Sequence, residues 1–275
     1  MEPARRGPAV RLALRLLVVV VFLAPIAFMV TGSLRRLGAA PPEGFELVPE
    51  GAGLSAYRAA EDALPLRRLL LNSLAVVVVA VPVTVVVASW AGFALAQLPR
   101  RSRRLLVAVT AALLMVPLPM LWVARFVLFL RLGVLDTLVP LMAPALAATT
   151  PFTVLLAYRA FSRVSPEVWD AARLEGASAL RTWWSVGLPL VSATTSAIAA
   201  VAFVFHWGNY LDALLYVQSP GRRTLPLGVG ELAQLDPTEL PVMLAGAVLL
   251  AVPALLALIA VQRPLLHARD HGGAA

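Results

Sequence analysis

Residues 169–190 read WDAARLEGASALRTWWSVGLPL and set Asp170, Arg173, Glu175 and Arg181 between two of the most apolar stretches of a 275-residue chain. Acids and arginines at this spacing can form ion pairs and charge-assisted hydrogen bonds, which is the chemistry of recognition. Groups for bond-making chemistry are missing. There is no cysteine, which excludes a thiol nucleophile, a thiolate metal site and a disulfide framework. All 23 basic residues are arginine, so a Walker-type phosphate loop, which needs a lysine on the β/γ-phosphates, is excluded, and so is a lysine Schiff base. Three histidines without an HExxH pattern leave no basis for an intramembrane metalloenzyme. His267 and His271 stand four apart, as metal ligands can, but in a polar tail; no metal site is expected.

The local signals describe two short helices joined by a bend. Ser165 is an N-cap residue type, Pro166 suits the first helical position, and Glu167 falls in the first turn, where the helix dipole favours an acid. The helix runs through Asp170, Ala171, Ala172 and Arg173 and meets Gly176, which can take the positive φ that ends a helix. Ser178 can cap a second short helix leading to Pro189. On composition alone the segment also reads as a solvated loop whose charges hold it out of a bilayer.

Those helices need elements to hold them. A mean hydropathy of +0.84, with 60% hydrophobic and 14% charged residues, gives more apolar surface than one soluble core of this length can bury. That places the chain in the membrane class. Apolar runs of about 18 residues or more cross a bilayer as helices. Six are present, near 14–33, 70–97, 105–130, 138–160, 190–216 and 241–262. Arginines precede the first run as they would in a signal peptide, but Leu16 to Leu34 is uncharged for 19 residues and reads as an uncleaved anchor. With both ends inside, the ends and the segments 98–104 and 161–189 carry thirteen arginines, against eight in the longer segments on the other side. This bias predicts N-in, C-in topology. The RRSRR at 100–104 reads as a stop signal in contact with lipid headgroups. Between 34 and 69 a Pro- and Gly-rich loop leads into a short surface helix. Despite a pI near 11.2, the arginines form no basic and aromatic face for nucleic acid.

The order Asp170-Ala171-Ala172, three residues, Gly176, nine residues, Val186, one residue, Leu188-Pro189 resembles the EAA loop of the membrane subunits of binding-protein-dependent ABC importers. Asp170 stands where glutamate is usual, and Glu175 where aspartate is common. The likeness extends to LLLNSLAV at 69–76, RLGVLDT at 131–137, SRVSPEVWDAARLEGAS at 162–178, HWGNYLDALLY at 206–216 and RRTLPLGV at 222–229. It points to the carbohydrate-uptake branch, the group containing the maltose permease G subunit. The resemblance implies an all-α membrane protein with the six-helix, type I (MetI-like) permease fold, and a multi-pass location in the bacterial cytoplasmic (inner) membrane. It divides the chain into a cytoplasmic N-terminus at 1–13, a permease domain at 14–262 with a coupling loop at about 161–189, and a cytoplasmic tail at 263–275. Glu167, Asp170, Ala171, Ala172, Arg173, Glu175, Gly176, Arg181, Leu188 and Pro189 would be the residues that meet a separate ATPase. The partners implied are a second, homologous permease subunit in a heterodimer, two ATPase subunits and an extracytoplasmic solute-binding protein. No cofactor is expected on this chain; ATP and Mg belong to the ATPase subunits.

Thr149, Thr150, Asn209 and Tyr210 could line a passage with hydroxyls and an amide, which suits a neutral polyhydroxylated solute. Asp212, toward the end of the fifth run, is a further path candidate, and His206 reads equally as core or pore lining. Arg125 reads as a structural or interfacial arginine. The expected cargo is a sugar or oligosaccharide, the alternative another solute such as a glycerophosphodiester. A self-sufficient secondary transporter would need coupling-ion groups at mid-membrane, and few acids stand there.

Overall fold

The computed structural model describes residues 8–38, 49, 51–146, 151–234 and 239–271. Among these there is no strand. In chain order the helices are α1 (Pro8–Ser33), α2 (Ser55–Ala63), α3 (Leu66–Gln97), α4 (Arg100–Leu113), α5 (Pro119–Arg131), α6 (Val139–Met142), α7 (Pro151–Phe161), α8 (Pro166–Leu174), α9 (Ala179–Arg181), α10 (Leu188–Leu190), α11 (Ser192–Trp207), α12 (Tyr210–Tyr216), α13 (Leu225–Leu232) and α14 (Leu240–His271). The chain forms two compact units, residues 1–66 with 228–252, and residues 67–227 with 253–275.

In the first unit α1 is apolar all round beyond Arg15, and within Leu12–Ser33 only the last turn, at Gly32 and Ser33, is buried against its own chain. Such a helix needs lipid or another protein around it. The short α2 turns Ala56 and Ala60 inward and exposes Glu61 and Asp62. Ala60 packs with Leu232 and Val242. Tyr57 meets the hydroxyl of Ser33 at 2.8 Å.

The second unit is organised on α3. Its 32 residues give a rod of about 48 Å, and Pro82 lies within it. One core gathers Ala88, Phe93, Val154, Phe161, Trp169, Trp183 and Ile198 near the C-terminal end of α3. Another gathers Val76, Leu141, Ala213, Val217 and Leu227 toward the opposite end. Gly92 sets how closely α3 and α7 approach. A Cβ there would lie 2.5 Å from both the Ala157 Cβ and the Tyr158 nitrogen.

Among the described residues three helices, Leu12–Ser33, Leu66–Gln97 and Leu240–Ile259, are long and apolar enough to cross a membrane, and the pair Ala179–Leu190 and Ser192–Trp207 passes the same test as one span bent by 88°. The runs near 105–130 and 138–160 are divided instead. The first is split between α4 and α5 around Pro117 and Pro119, since proline removes a backbone donor and its ring clashes with the preceding turn. The second is interrupted after Met142, where Ala143–Ala145 is a 3₁₀ turn. At the C-terminus α14 continues through His271, so the backbone has no break at the expected boundary of 262.

Candidate functional site

The 161–189 segment folds as the residue types suggest, with two differences. Ser165 holds an extended conformation ahead of α8, Pro166 opens the helix and Glu167 is in its first turn, but the Ser165 hydroxyl makes no capping hydrogen bond. The helix closes at Gly176, whose φ is +73°. Gly176 N–H donates to the Arg173 carbonyl and Ala177 N–H to that of Ala172, both at 3.0 Å. This pair of bonds is the Schellman closure, which requires a left-handed residue where Gly176 stands. Ser178 Oγ then accepts from Arg181 N–H at 3.3 Å and caps α9. The second difference lies beyond it. Thr182–Gly187 forms a π-helical turn before α10, a wide turn of a kind found often at functional sites. Pro189 has no N–H to return to the preceding turn, and after Val191 the chain bends by 88° into α11. Residues 179–190 therefore run almost at a right angle to α11.

Burial divides this segment into two faces. Trp169 and Ala172 of α8, with Thr182, Trp183 and Gly187 beyond it, are buried. Trp169 meets Phe93 edge to face at 5.5 Å and lies 6.3 Å from Phe161, and Trp183 meets Trp90 edge to face at 5.1 Å. At Gly187 a Cβ would come within 3.0 Å of the Phe161 ring. Glu167, Asp170, Ala171, Arg173, Glu175, Gly176, Arg181 and Pro189 are exposed, and Leu188 is half-buried. Leu174, 90% exposed, sits among the charges. Asp170 accepts from Arg173 at 3.2 Å across one helical turn, and Arg173 also donates to Gln97 Oε1 at the end of α3 at 2.7 Å. A cavity of about 340 Å³ lies between α3 and this segment.

Sequence reasoning did not single out the groups on α3 that receive the segment, Trp90, Gly92, Phe93 and Gln97, nor Gly187 in the segment's own π turn. A signal was present in Trp90 and Phe93, which stand one helical turn apart with glycine between them.

The path candidates fall in a different place. Asn209 caps α12 by accepting from Asp212 N–H at 3.2 Å, and its amide donates to Asp212 Oδ2 at 3.1 Å. Asp212 also pairs with Arg125 at 3.4 Å, with side chains 8% and 15% exposed. The guanidinium lies 5.9 Å from the Phe129 ring centre and 5.6 Å from that of Tyr216. Asp212 is thus a buried, paired carboxylate, and Arg125 is its counter-ion. His206 is buried, with the Leu141 backbone as a polar neighbour and no ring hydrogen bond of good geometry. Tyr210 is half-buried against the Val76 and Leu141 core. Thr149 and Thr150 lie outside the described residues.

The other motifs join one another at the N-terminal end of α3. Asn72 donates to the carbonyls of Gly221 at 3.1 Å and Arg223 at 2.8 Å, and Leu225 N–H donates to Ser73 Oγ at 2.8 Å. Asp136 has a φ of +57°, a conformation that aspartate tolerates better than most residues. Its carboxylate accepts from the N–H groups of Gln218 and Ser219, each at 2.8 Å, and from the Ser219 hydroxyl. Arg222 donates to its carbonyl and stands 3.8 Å from the carboxylate. The Ser219 hydroxyl, the two amides and the Arg222 charge hold the Asp136 carboxyl down at about 2. Among the described residues no cluster of acids or histidines could hold a metal ion.

Known proteins place this geometry. The chain is 29% identical over 193 residues to the lactose transport system permease of Rhizobium radiobacter, covering 70% of each chain. It is 26% identical over 270 residues to the diacetylchitobiose uptake system permease of Streptomyces coelicolor, covering 98% of this chain and 89% of that one. Over 203 residues it is 28% identical to the arabinooligosaccharides transport system permease of Halalkalibacterium halodurans, covering 74% and 72%. Its fold is that of a bacterial ABC transporter involved in the import of the acidic polysaccharide alginate, with a TM-score of 0.76 at 20% identity, over 93% of this chain and 95% of that one. Residues 85–263 match the family described as the binding-protein-dependent transport system inner membrane component, and the chain belongs to that family.

Proposed function

We propose that this chain is one of two membrane subunits of an ATP-driven importer for a sugar or oligosaccharide, and that residues 161–189 couple it to a separate ATPase. The observation that carries this reading is the helix, glycine, helix unit at 166–190. Its aromatic back is seated on α3 and α7, its charged face is exposed, and it lies across the axis of α11. Such a unit is rigid enough to pass movement into the spans and polar enough to stand outside them. Glu167, Asp170, Glu175 and Arg181 offer the partner its charged contacts. The ATPase would alternate the spans between two states by favouring one arrangement of this element. ATP and Mg stay on that partner, and both chain ends lie in the cytoplasm. Relatives named for lactose, arabinooligosaccharides and diacetylchitobiose support a saccharide cargo. A relative named for sulfoquinovosyl glycerol, 27% identical over 229 residues, keeps a glycosylated glycerol in view. The remaining partners of this reading are a homologous permease subunit and an extracytoplasmic solute-binding protein. The ligand of the binding protein that co-purifies with the chain decides the cargo.

Gly176 gives the test. Beyond its two chain neighbours, no described atom lies within 4 Å of a Cβ built there, so a substitution meets no clash with the rest of the fold; the cost is the left-handed backbone, roughly 1 kcal/mol or more for a residue with a Cβ. In the reconstituted complex Gly176→Leu should insert at normal abundance and pair with its sister subunit, yet lose uptake and solute-stimulated ATP hydrolysis, with Gly176→Ala intermediate. Wild-type uptake by the leucine variant would end the coupling reading. Uptake by this chain alone under an ion gradient would replace it with a secondary transporter.

A further inference from the structure

The cavity between the end of α3 and the 166–190 segment is walled by Trp90, Phe93 and Trp169, and its polar lining is Gln97, Arg173 and Thr182. Each of these three brings a donor, and no acid lines the space. Arg173 spends two of its N–H groups on Asp170 and Gln97, which leaves others. Gln97 Oε1 accepts from Arg173, and this fixes the amide so that its Nε2 is the atom buried without a partner. A ligand suited to this space has an apolar body and an acceptor-rich, anionic end.

Two neighbouring features select among such ligands. Four of the six tryptophans, Trp90, Trp169, Trp183 and Trp184, gather at this end of α3. Trp184 is 63% exposed and Trp90 37%. Clustered, part-exposed tryptophan marks the level where a bilayer meets water. Three residues after Gln97, α4 opens with Arg100, Arg101, Arg103 and Arg104. Basic pockets between helix ends at this level recruit anionic lipid headgroups. The geometry points to an anionic phospholipid as the occupant, with one acyl chain against Trp90, Phe93 and Trp169 and its phosphate oxygens on Arg173 and Gln97 Nε2.

The experiment uses the complete transporter in phosphatidylcholine nanodiscs. These contain the same small mole fraction of either phosphatidylglycerol or phosphatidylcholine with brominated acyl chains, and bromine quenches the tryptophans it touches. Phosphatidylglycerol should quench in excess, with the roughly fivefold enrichment that one interfacial arginine gives. Ala94→Phe, which fills the cavity from its α3 wall, should remove the excess. Gln97→Leu keeps the volume and deletes the donor, so it should reduce the excess and provides the readout if the phenylalanine variant does not assemble. Equal quenching by the two lipids overturns the assignment. An excess that neither variant lowers also overturns it, because the lipid would then sit on Arg100–Arg104. A signal sensitive to Ala94→Phe that comes from free brominated fatty acid and not from phosphatidylglycerol would give the cavity to a free carboxylate and overturn it as well.

Discussion

At the N-terminal end of α3, Asn72 and Ser73 hold the 221–225 stretch by three hydrogen bonds, and Asp136 holds the stretch from 216 to 222 with both carboxylate oxygens engaged. At the C-terminal end the 166–190 segment rests on ring edges and faces, while Glu167, Asp170, Glu175 and Arg181 point outward. The first arrangement fixes distances, because each hydrogen bond tolerates little change in length or angle. The second is held by contacts that depend less on direction, and its exposed charges are available to another chain. A polar clamp suits an end that keeps its shape, and an aromatic seat with a charged surface suits the end that, on the coupling reading, is moved.

The largest break in this contrast should come from Asp212. Asp212→Leu leaves the Arg125 guanidinium, 15% exposed, without its carboxylate between the rings of Phe129 and Tyr216. Removing one partner of a buried pair costs about 3–5 kcal/mol. Thermal unfolding of the purified complex should fall strongly for Asp212→Leu, while Arg125→Met with Asp212→Leu should recover much of the loss. If the double variant is no better than the single one, the ion pair does not hold this part of the fold. Next is Gly92→Ala, which puts a Cβ 2.5 Å from the α7 backbone under the aromatic seat. Overpacking of this kind costs about 1–3 kcal/mol. It should lower membrane abundance and reduce the near-ultraviolet circular dichroism of the tryptophan cluster.

Asp136 sharpens the contrast through pH. Its carboxyl is lowered from 3.8 to about 2 in the fold, so the stability it gives is fully present above 3.8 and lost as pH falls toward 2. Asp136→Asn keeps a residue that accepts φ +57° but removes the charge that Arg222 and the amides favour. The variant should melt below wild type by the same margin at pH 5 and pH 8, and the gap should close below about pH 4. A gap that changes between pH 5 and 8 would mean that another group governs this end.

Local chemistry was readable in advance where neighbours in sequence decide it. Pro166, Glu167, Gly176 and Ser178 marked the bend, and the left-handed Gly176 and the Ser178 cap are where those residue types put them. The NYLD run also carried its cap from Asn209 to Asp212, although both residues were read as path lining. Partners 87 and 83 residues away, Arg125 for Asp212 and Ser219 for Asp136, leave no periodic trace in the chain, so those clamps needed three dimensions. Prolines in the runs near 105–130 and 138–160 were visible, but which of them would divide a helix depends on whether neighbours satisfy the freed carbonyls. The π turn at 182–187 follows from the seating of Trp183 and Gly187 on α3 and α7, which also lies outside local sequence.

The smallest effect on the fold should come from the residue with the clearest place in the EAA pattern. Among the described residues Asp170 pairs only with Arg173, one turn along the same helix, and the two side chains are 65% and 61% exposed. An exposed pair at this spacing contributes about 0.3–0.5 kcal/mol, because water screens it and both side chains lose freedom to form it. Asp170→Ala should therefore leave the melting temperature and membrane abundance of the chain within error of wild type. On the coupling reading the same substitution removes a charge-assisted contact to the ATPase worth roughly 1.5–3 kcal/mol, so retention of that subunit in a pull-down should drop by about tenfold or more. The two measurements separate the ends of α3 in one variant. If both are unchanged, Asp170 is a solvated surface acid. If both fall together, its pairing with Arg173, which itself reaches Gln97, is part of the seat, and the division between the two ends would have to be redrawn around Arg173.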